Sequence, residues 1–254
     1  SQIPSLSDTV TSFSNYVSTM DPVTSFRQRI SSLFEAASPA GPCEELFTDE
    51  VDFFGANRGG EKFIDEFSID ELSTIIRNSP IGPKLEEIGY PDWYVEVDLS
   101  DSFSHFAYLR SRHLTDKTKF LAFIVIQVGE FRLKKPLAVP VPQRLNLLNI
   151  KWFSLQDPQR SFSRERPRLP GQRYPGTGIA RLTFQVLLRL CTERGRDGIV
   201  NTPEHFHNAF LYEGFCFLNP EDQGLFNRIS SDLANDIQEK SLAAISWAIY
   251  LGFL

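Results

Sequence analysis

The sequence predicts an α+β protein of the α/β-sandwich type, a mostly antiparallel mixed sheet flanked by helices, with a helical N-terminal extension and C-terminal helices. Three changes of pattern carry that prediction. Residues 1–90 repeat apolar side chains at helical spacing; from Trp93 the apolar residues alternate or run in short blocks; and at Gly178 the pattern turns helical again. The expected organisation is a helical segment over residues 1–90 and a sheet-bearing domain over residues 91–254.

In the first segment Leu6, Val10, Phe13 and Val17 follow helical spacing, as do Val23, Phe26, Ile30, Leu33 and Phe34. Asp21-Pro22 reads as an N-cap followed by proline at the first helical position. Residues 38–60 are rich in Gly and Pro and are expected to form a long irregular loop. Ser68-Ile69-Asp70-Glu71 has the spacing of a capping box, in which the hydroxyl and the carboxylate each take one backbone N–H, ahead of Leu72, Ile75 and Ile76.

Strands are expected at residues 93–99, 105–112, 120–133 and 145–155, with Pro136, Pro140 and Pro142 interrupting the run. Ile179, Leu182, Val186, Leu187 and Leu190 make one apolar stripe on a helix that stops at Gly195. Residues 198–200 then read as a strand. Thr202-Pro203-Glu204 is expected to cap a helix running to Tyr212, and residues 215–218 to form a last strand. Leu225, Ile229, Leu233 and Ile237 mark one amphipathic helix, and residues 242–251 another.

Composition excludes several function classes. The chain of 254 residues is 41% hydrophobic and 23% charged, ordinary for a globular protein. A formal net charge of −6 argues against a nucleic-acid partner, which needs clustered cations. The local exception is Arg160, Arg164, Arg166, Arg168 and Arg173, a basic stretch that either meets phosphates or is a solvated loop. Cys43, Cys191 and Cys216 show neither disulfide nor zinc spacing; Cys191 and Cys216 read as small core residues, and a reducing cytoplasm fits this usage. No apolar run reaches the roughly 18 residues of a membrane span, and the first residues lack a signal-peptide pattern. His205 and His207, two apart on an expected helix, diverge by about 200° and so predict no shared metal.

The chemistry concentrates in Arg173-Tyr174-Pro175-Gly176-Thr177-Gly178, set between a strand and a helix. A diphosphate needs several inward N–H donors, which a helix N-terminus supplies together with a positive dipole end. Glycine lets the backbone approach without a Cβ. The spacing Arg173-x-x-Gly176-x-Gly178, followed by helix, strand, helix, Tyr212 and Gly214-Phe215, resembles the GNAT acetyltransferase superfamily. The resemblance implies acetyl-CoA or another acyl-CoA as cosubstrate and an amine acceptor, a small molecule or a protein, of unknown identity. It implies that Arg173, Tyr174, Gly176, Thr177, Gly178, Ile179 and Ala180 hold the CoA pyrophosphate, that Tyr212 gives a proton to the departing thiolate, and that a backbone N–H of the strand before the loop stabilises the oxyanion. This sequence departs from the family in the length of residues 156–172 and in the short Tyr212–Gly214 spacing. Glu130 and Glu204 are the available general bases, and each reads equally well as a surface charge. Transfer to an amine and CoA or partner binding without transfer therefore both stand.

Overall fold

The structure, a computed structural model, describes residues 51–54, 61–101, 104–133, 144–212, 215–217 and 219–254. The stripes expected before residue 35, the Asp21-Pro22 cap, Cys43 and the three prolines at 136–142 lie outside these residues. The chain divides into two compact units; their described parts are residues 51–211 with Ser246–Leu254, and Tyr212–Ile245.

The larger unit is α+β. Its sheet contains β1 (Val51–Phe54), β2 (Trp93–Asp98), β3 (His105–Ser111), β4 (Ala122–Leu133), β5 (Arg144–Leu155) and β6 (Gly198–Asn201). The order is β2-β3-β4-β5-β6, antiparallel except for the parallel pair β5–β6. β4 is long enough to hold two strands on one edge: β3 pairs with it from Ala122 to Ile126, and β1 from Glu130 to Leu133. β1 falls in the stretch expected to be an irregular loop. Its Val-Asp-Phe-Phe is strand-forming, but four residues are too few to show a period.

One sheet face is the buried one. Val95, Ala107 and Ile124 point to it, and α1 (Ile69–Arg77), α2 (Ile81–Glu87) and α3 (Ala180–Glu193) cover it. One core cluster joins Phe63, Ile64, Leu72, Ile126, Leu148, Leu187 and Leu190; a second joins Ile81, Leu85, Tyr90, Trp93, Leu109, Leu121 and Ile179. Helices α1 and α2 thus belong to the same unit as the sheet. The capping box at Ser68 is formed as expected, with Glu71 N–H donating to Ser68 Oγ and Ser68 N–H to Glu71 Oε2 at 2.8 Å. α3 ends in a Schellman turn: Gly195 takes φ +63°, Arg196 N–H donates to Cys191 O and Gly195 N–H to Thr192 O. α4 (Phe206–Leu211) is shorter than expected. Thr202 does not cap it; Asn208 and Ala209 close the first turn on the His205 carbonyl.

In the smaller unit Asn219 caps α5 (Pro220–Asp232) by accepting from Glu221 N–H at 2.9 Å. The single helix expected through Leu233 is two, because Leu233 ends α5 and opens α6 (Ala234–Lys240). α7 (Leu242–Tyr250) begins in this unit and ends in the other. Phe215, Cys216 and Phe217 are not a strand: Phe215 N–H donates back to Tyr212 O, and the Phe217 ring packs 5.3 Å from Phe226 of α5. Cys216 is exposed, contrary to a core role, whereas Cys191 is buried and its thiol is pushed up to about 11 by desolvation. Among the described residues no helix is long and apolar enough to cross a membrane.

Candidate functional site

The site is built where β5 ends. Parallel pairing with β6 stops at Ile150↔Asn201. At the same point β5 carries a bulge: Ile126 faces Ile150 but Val125 faces Trp152, so Lys151 is the extra residue. From Lys151 to Leu155 the strand pairs with β4 alone, and no described strand adjoins its other edge. Backbone N–H and C=O groups along such an edge are able to accept an extended ligand.

Residues 156–172 leave this strand end and return to it. Asp157 N–H donates to Pro175 O at 2.6 Å, so the long connection is closed at its base and the loop lies beside Leu155. Asp157 is 1% exposed. Its Oδ1 accepts from Tyr90 O–H at 2.5 Å and from Gln159 N–H, and its Oδ2 faces Arg160 Nε at 2.9 Å. Burial, reinforced by Asp157, pushes the Tyr90 hydroxyl far up, so it stays protonated as the donor. Neither Tyr90 nor Asp157 was among the expected site residues. Nothing local in the sequence joins two positions so far apart.

The loop leads into α3, whose N-terminus carries no side-chain cap. A Cβ on Gly176 would stand 3.8 Å from Leu155 O, an ordinary contact. Gly178 has φ +79°, a conformation that glycine takes without steric cost, and open space where a Cβ would be. Ile179 is the N-cap of α3, its side chain 1% exposed in the core, and Ala180 begins the helix at the surface. The first N–H groups of a helix have no carbonyl partner within it; here no side chain caps them, and no acidic residue sits in the first turn. Thr177 is 5% exposed, and its Oγ1 is buried without a hydrogen-bond partner. Leaving a buried hydroxyl unpaired costs about 1–3 kcal/mol. Tyr174 is half-buried, with Arg173 Cζ 5.7 Å and Lys119 Nζ 5.8 Å from its ring centre.

The structure brings residues 173–180 together in the larger unit. Tyr212 follows α4 and belongs to the smaller unit, where its ring lies 5.9 Å from that of Phe215. Glu130 is not at the loop. It sits opposite Asn146, about 30 Å of strand from Leu155, and its Oε1 faces Arg132 Nε at 3.1 Å and Arg144 Nε at 3.7 Å. Glu204 is exposed ahead of α4. The expectation that His205 and His207 diverge is overturned. Because His205 precedes the helix, the two rings stack at 5.4 Å. His207 is buried with Nδ1 2.8 Å from Ser246 Oγ, and burial, with His205 second, draws its value down to about 4. Among the described residues no group of three or more metal-ligating side chains is assembled.

No protein-family model matches this chain, and no curated protein matches it. Two solved structures, of a point mutant and a tetramutant of the BH1408 protein from Bacillus halodurans, show a partial likeness. The first has 19% identity over 48% of this chain and 64% of that one, with a TM-score of 0.30. The second has 17% identity over 48% and 67%, with a TM-score of 0.26. The chain thus spans less than two thirds of the first of these.

Proposed function

We propose that the protein is an acyl-CoA-dependent N-acyltransferase of the GNAT type, moving an acetyl or other acyl group to an amine. The observation that carries this reading is the buried, unpartnered Thr177 hydroxyl beside an uncapped helix N-terminus. Together they offer a hydroxyl, convergent N–H donors and a positive dipole end to a diphosphate. The edge of β5 from Lys151 to Leu155, which no described strand adjoins, would align the extended arm of the cosubstrate and present an N–H to the thioester oxygen. The amine nitrogen attacks the carbonyl carbon, the C–N bond forms as the C–S bond breaks, the departing thiolate takes the proton of the Tyr212 O–H to which the resemblance gives this role, and the proton that the amine nitrogen gives up restores the phenol.

A second reading is CoA binding without transfer. It is favoured by Glu130, one of the two carboxylates available as a base, standing at the far end of the sheet in contact with two arginines. Mass spectrometry of the purified protein for bound CoA, followed by a hydrolysis and transfer screen with acetyl-CoA, small amines and lysine peptides, separates the two. CoA with turnover supports the first reading, and CoA without turnover the second. A protein that binds no CoA defeats both.

A further inference from the structure

We propose that the connection over residues 156–172 is a strap that acid releases, latched by His205, His207 and Trp247 against the end of α7. The proposal is independent of the acyl-CoA reading. The two ends of the strap are held differently. At its base Asp157 N–H donates to Pro175 O, and Asp157 Oδ1 accepts from Tyr90 O–H. At its return, from Arg168 to Gly171, it is held by side chains of other elements. Trp247 Nε1–H donates to Arg168 O at 2.9 Å. Gly171 takes φ +75°, and a Cβ there would lie 2.7 Å from His205 Nε2, so the strap seats on the imidazole only because position 171 has no side chain. Pro170, between these two contacts, is fully buried. Within the return, Arg168 Nε donates to Gln172 O at 2.7 Å and Leu169 N–H to Gln172 Oε1 at 3.1 Å, so the segment can move as one piece.

Behind His205 the stack continues into α7. The His205 ring lies 5.4 Å from that of His207 and 5.4 Å from that of Tyr250, which it meets edge to face at 83°. His207 is buried, with Nδ1 2.8 Å from Ser246 Oγ, one helical turn before Tyr250. Trp247, which holds Arg168, packs 5.6 Å from the same Tyr250 ring. The end of α7 therefore bears on the strap twice, directly through Trp247 and indirectly through the two imidazoles. The groups that face His207 are the His205 ring and Ser246; those that face His205 are His207, Tyr250 and the bare Gly171. None is a carboxylate. Glu204, next to His205 in the chain, is exposed, and Arg168 meets the latch through its carbonyl. Burial, with His205 second, draws His207 down to about 4. A folded value below the ordinary one of about 6.5 means that the latch favours the neutral ring, so it is whole above that pH and is lost as pH falls toward 4. A proton on His207 sets a buried cation against the His205 ring, with no carboxylate among the described groups that face it. The charged ring must reach water, and His205 and the strap seated on it give way. The contacts at the base involve neither histidine and remain.

The test is NMR of the full nitrogen-labelled chain between about pH 7 and pH 4, a range that spans both values of the ring. It follows the indole N–H resonances of Trp93, Trp152 and Trp247, assigned with Trp93→Phe, Trp152→Phe and Trp247→Phe. On acidification the Trp247 resonance should leave its hydrogen-bonded position for that of a solvated indole, over the range in which the His207 ring resonances titrate. Trp93, buried in the core, should keep its shift throughout. His207→Gln and His207→Asn carry no titrating ring, and whichever of them keeps the Trp93 shift should hold Trp247 in place at the acid end. A Trp247 resonance that does not move, that moves only together with Trp93, or that moves outside the range of the His207 titration would overturn the latch. Release that persists in a folded His207 variant would overturn it as well. The wild-type comparison of Trp247, Trp93 and His207 decides the matter even where neither variant folds.

Discussion

Thr177→Val separates a ligand site from a folding element, because its two effects have opposite signs. In the free protein the Thr177 hydroxyl is buried with no partner. Valine has nearly the same shape and replaces that hydroxyl with a methyl group. Removing an unsatisfied buried polar group returns about 1–2 kcal/mol, at the low end of its desolvation cost because the loop relaxes in part. In a unit of this size that corresponds to a rise in Tm of roughly 3 °C per kcal/mol. With CoA bound, the same hydroxyl would donate to a charged phosphate oxygen, a contact of about 1.5–3 kcal/mol, so affinity should fall by roughly 10–100-fold. Thr177→Ser keeps the hydroxyl and should keep most of the affinity. The assays are thermal melts of the three proteins without ligand and calorimetric titration with CoA. A valine variant that is less stable and binds CoA as wild type does would show that the hydroxyl serves the fold, and the site reasoning would fail.

Gly178→Glu is not the clean probe that its place before a helix suggests. A glutamate there favours the helix dipole, but φ +79° imposes about 1 kcal/mol or more of strain, so melting temperature and CoA affinity should both fall; a more stable variant would contradict the left-handed conformation. Tyr212→Phe should lower turnover by about 10²–10⁴-fold with acyl-CoA affinity little changed, and wild-type turnover would remove Tyr212 from the chemistry. Acid should weaken the fold through His207. Its folded value of about 4 lies below the ordinary 6.5, so the fold favours neutral imidazole; the contribution is complete above about pH 6.5 and is lost as pH falls toward 4, on the order of 3 kcal/mol. His105, drawn down chiefly by burial while its Nδ1 accepts from Ile64 N–H, acts in the same direction. Urea midpoints of wild type and His207→Gln between pH 7 and pH 4 check this, and equal slopes would exclude His207 as a source.

What the sequence showed was what is encoded locally. Ser68 and Glu71 are three residues apart and form the capping box their spacing predicts. The α3 stripe and Gly195 define a helix and its stop within one stretch, and β4 announces itself by a long run of Phe, Ile and Val. The turn that leads into α3 was legible for the same reason. β1 was not, because four residues become a strand only against β4, far along the chain. Phe215 and Phe217 have strand propensity but no strand partner, and Phe217 spends its ring on α5. Tyr90–Asp157 and Lys119–Tyr174 are meetings of distant segments, which no periodicity reports. His205 and His207 misled because the angular argument holds only if both lie within the helix.

The parallel pairing of β5 with β6 has a consequence for how the protein assembles. Strands β2 to β5 pair through partners from 8 residues apart (Asp98↔Phe106) to 33 apart (Ala122↔Leu155), whereas Leu147 meets Gly198 only after a chain of about 50 residues has closed, with α3 in place. Non-local closure is the slow part of folding. The expected order of assembly is therefore the antiparallel meander first and the docking of α3 with β6 last. A partly opened molecule would keep its meander and lose its ligand site first. Native-state hydrogen exchange should show this as β6 amides opening at lower free energy than those of β3 and β4.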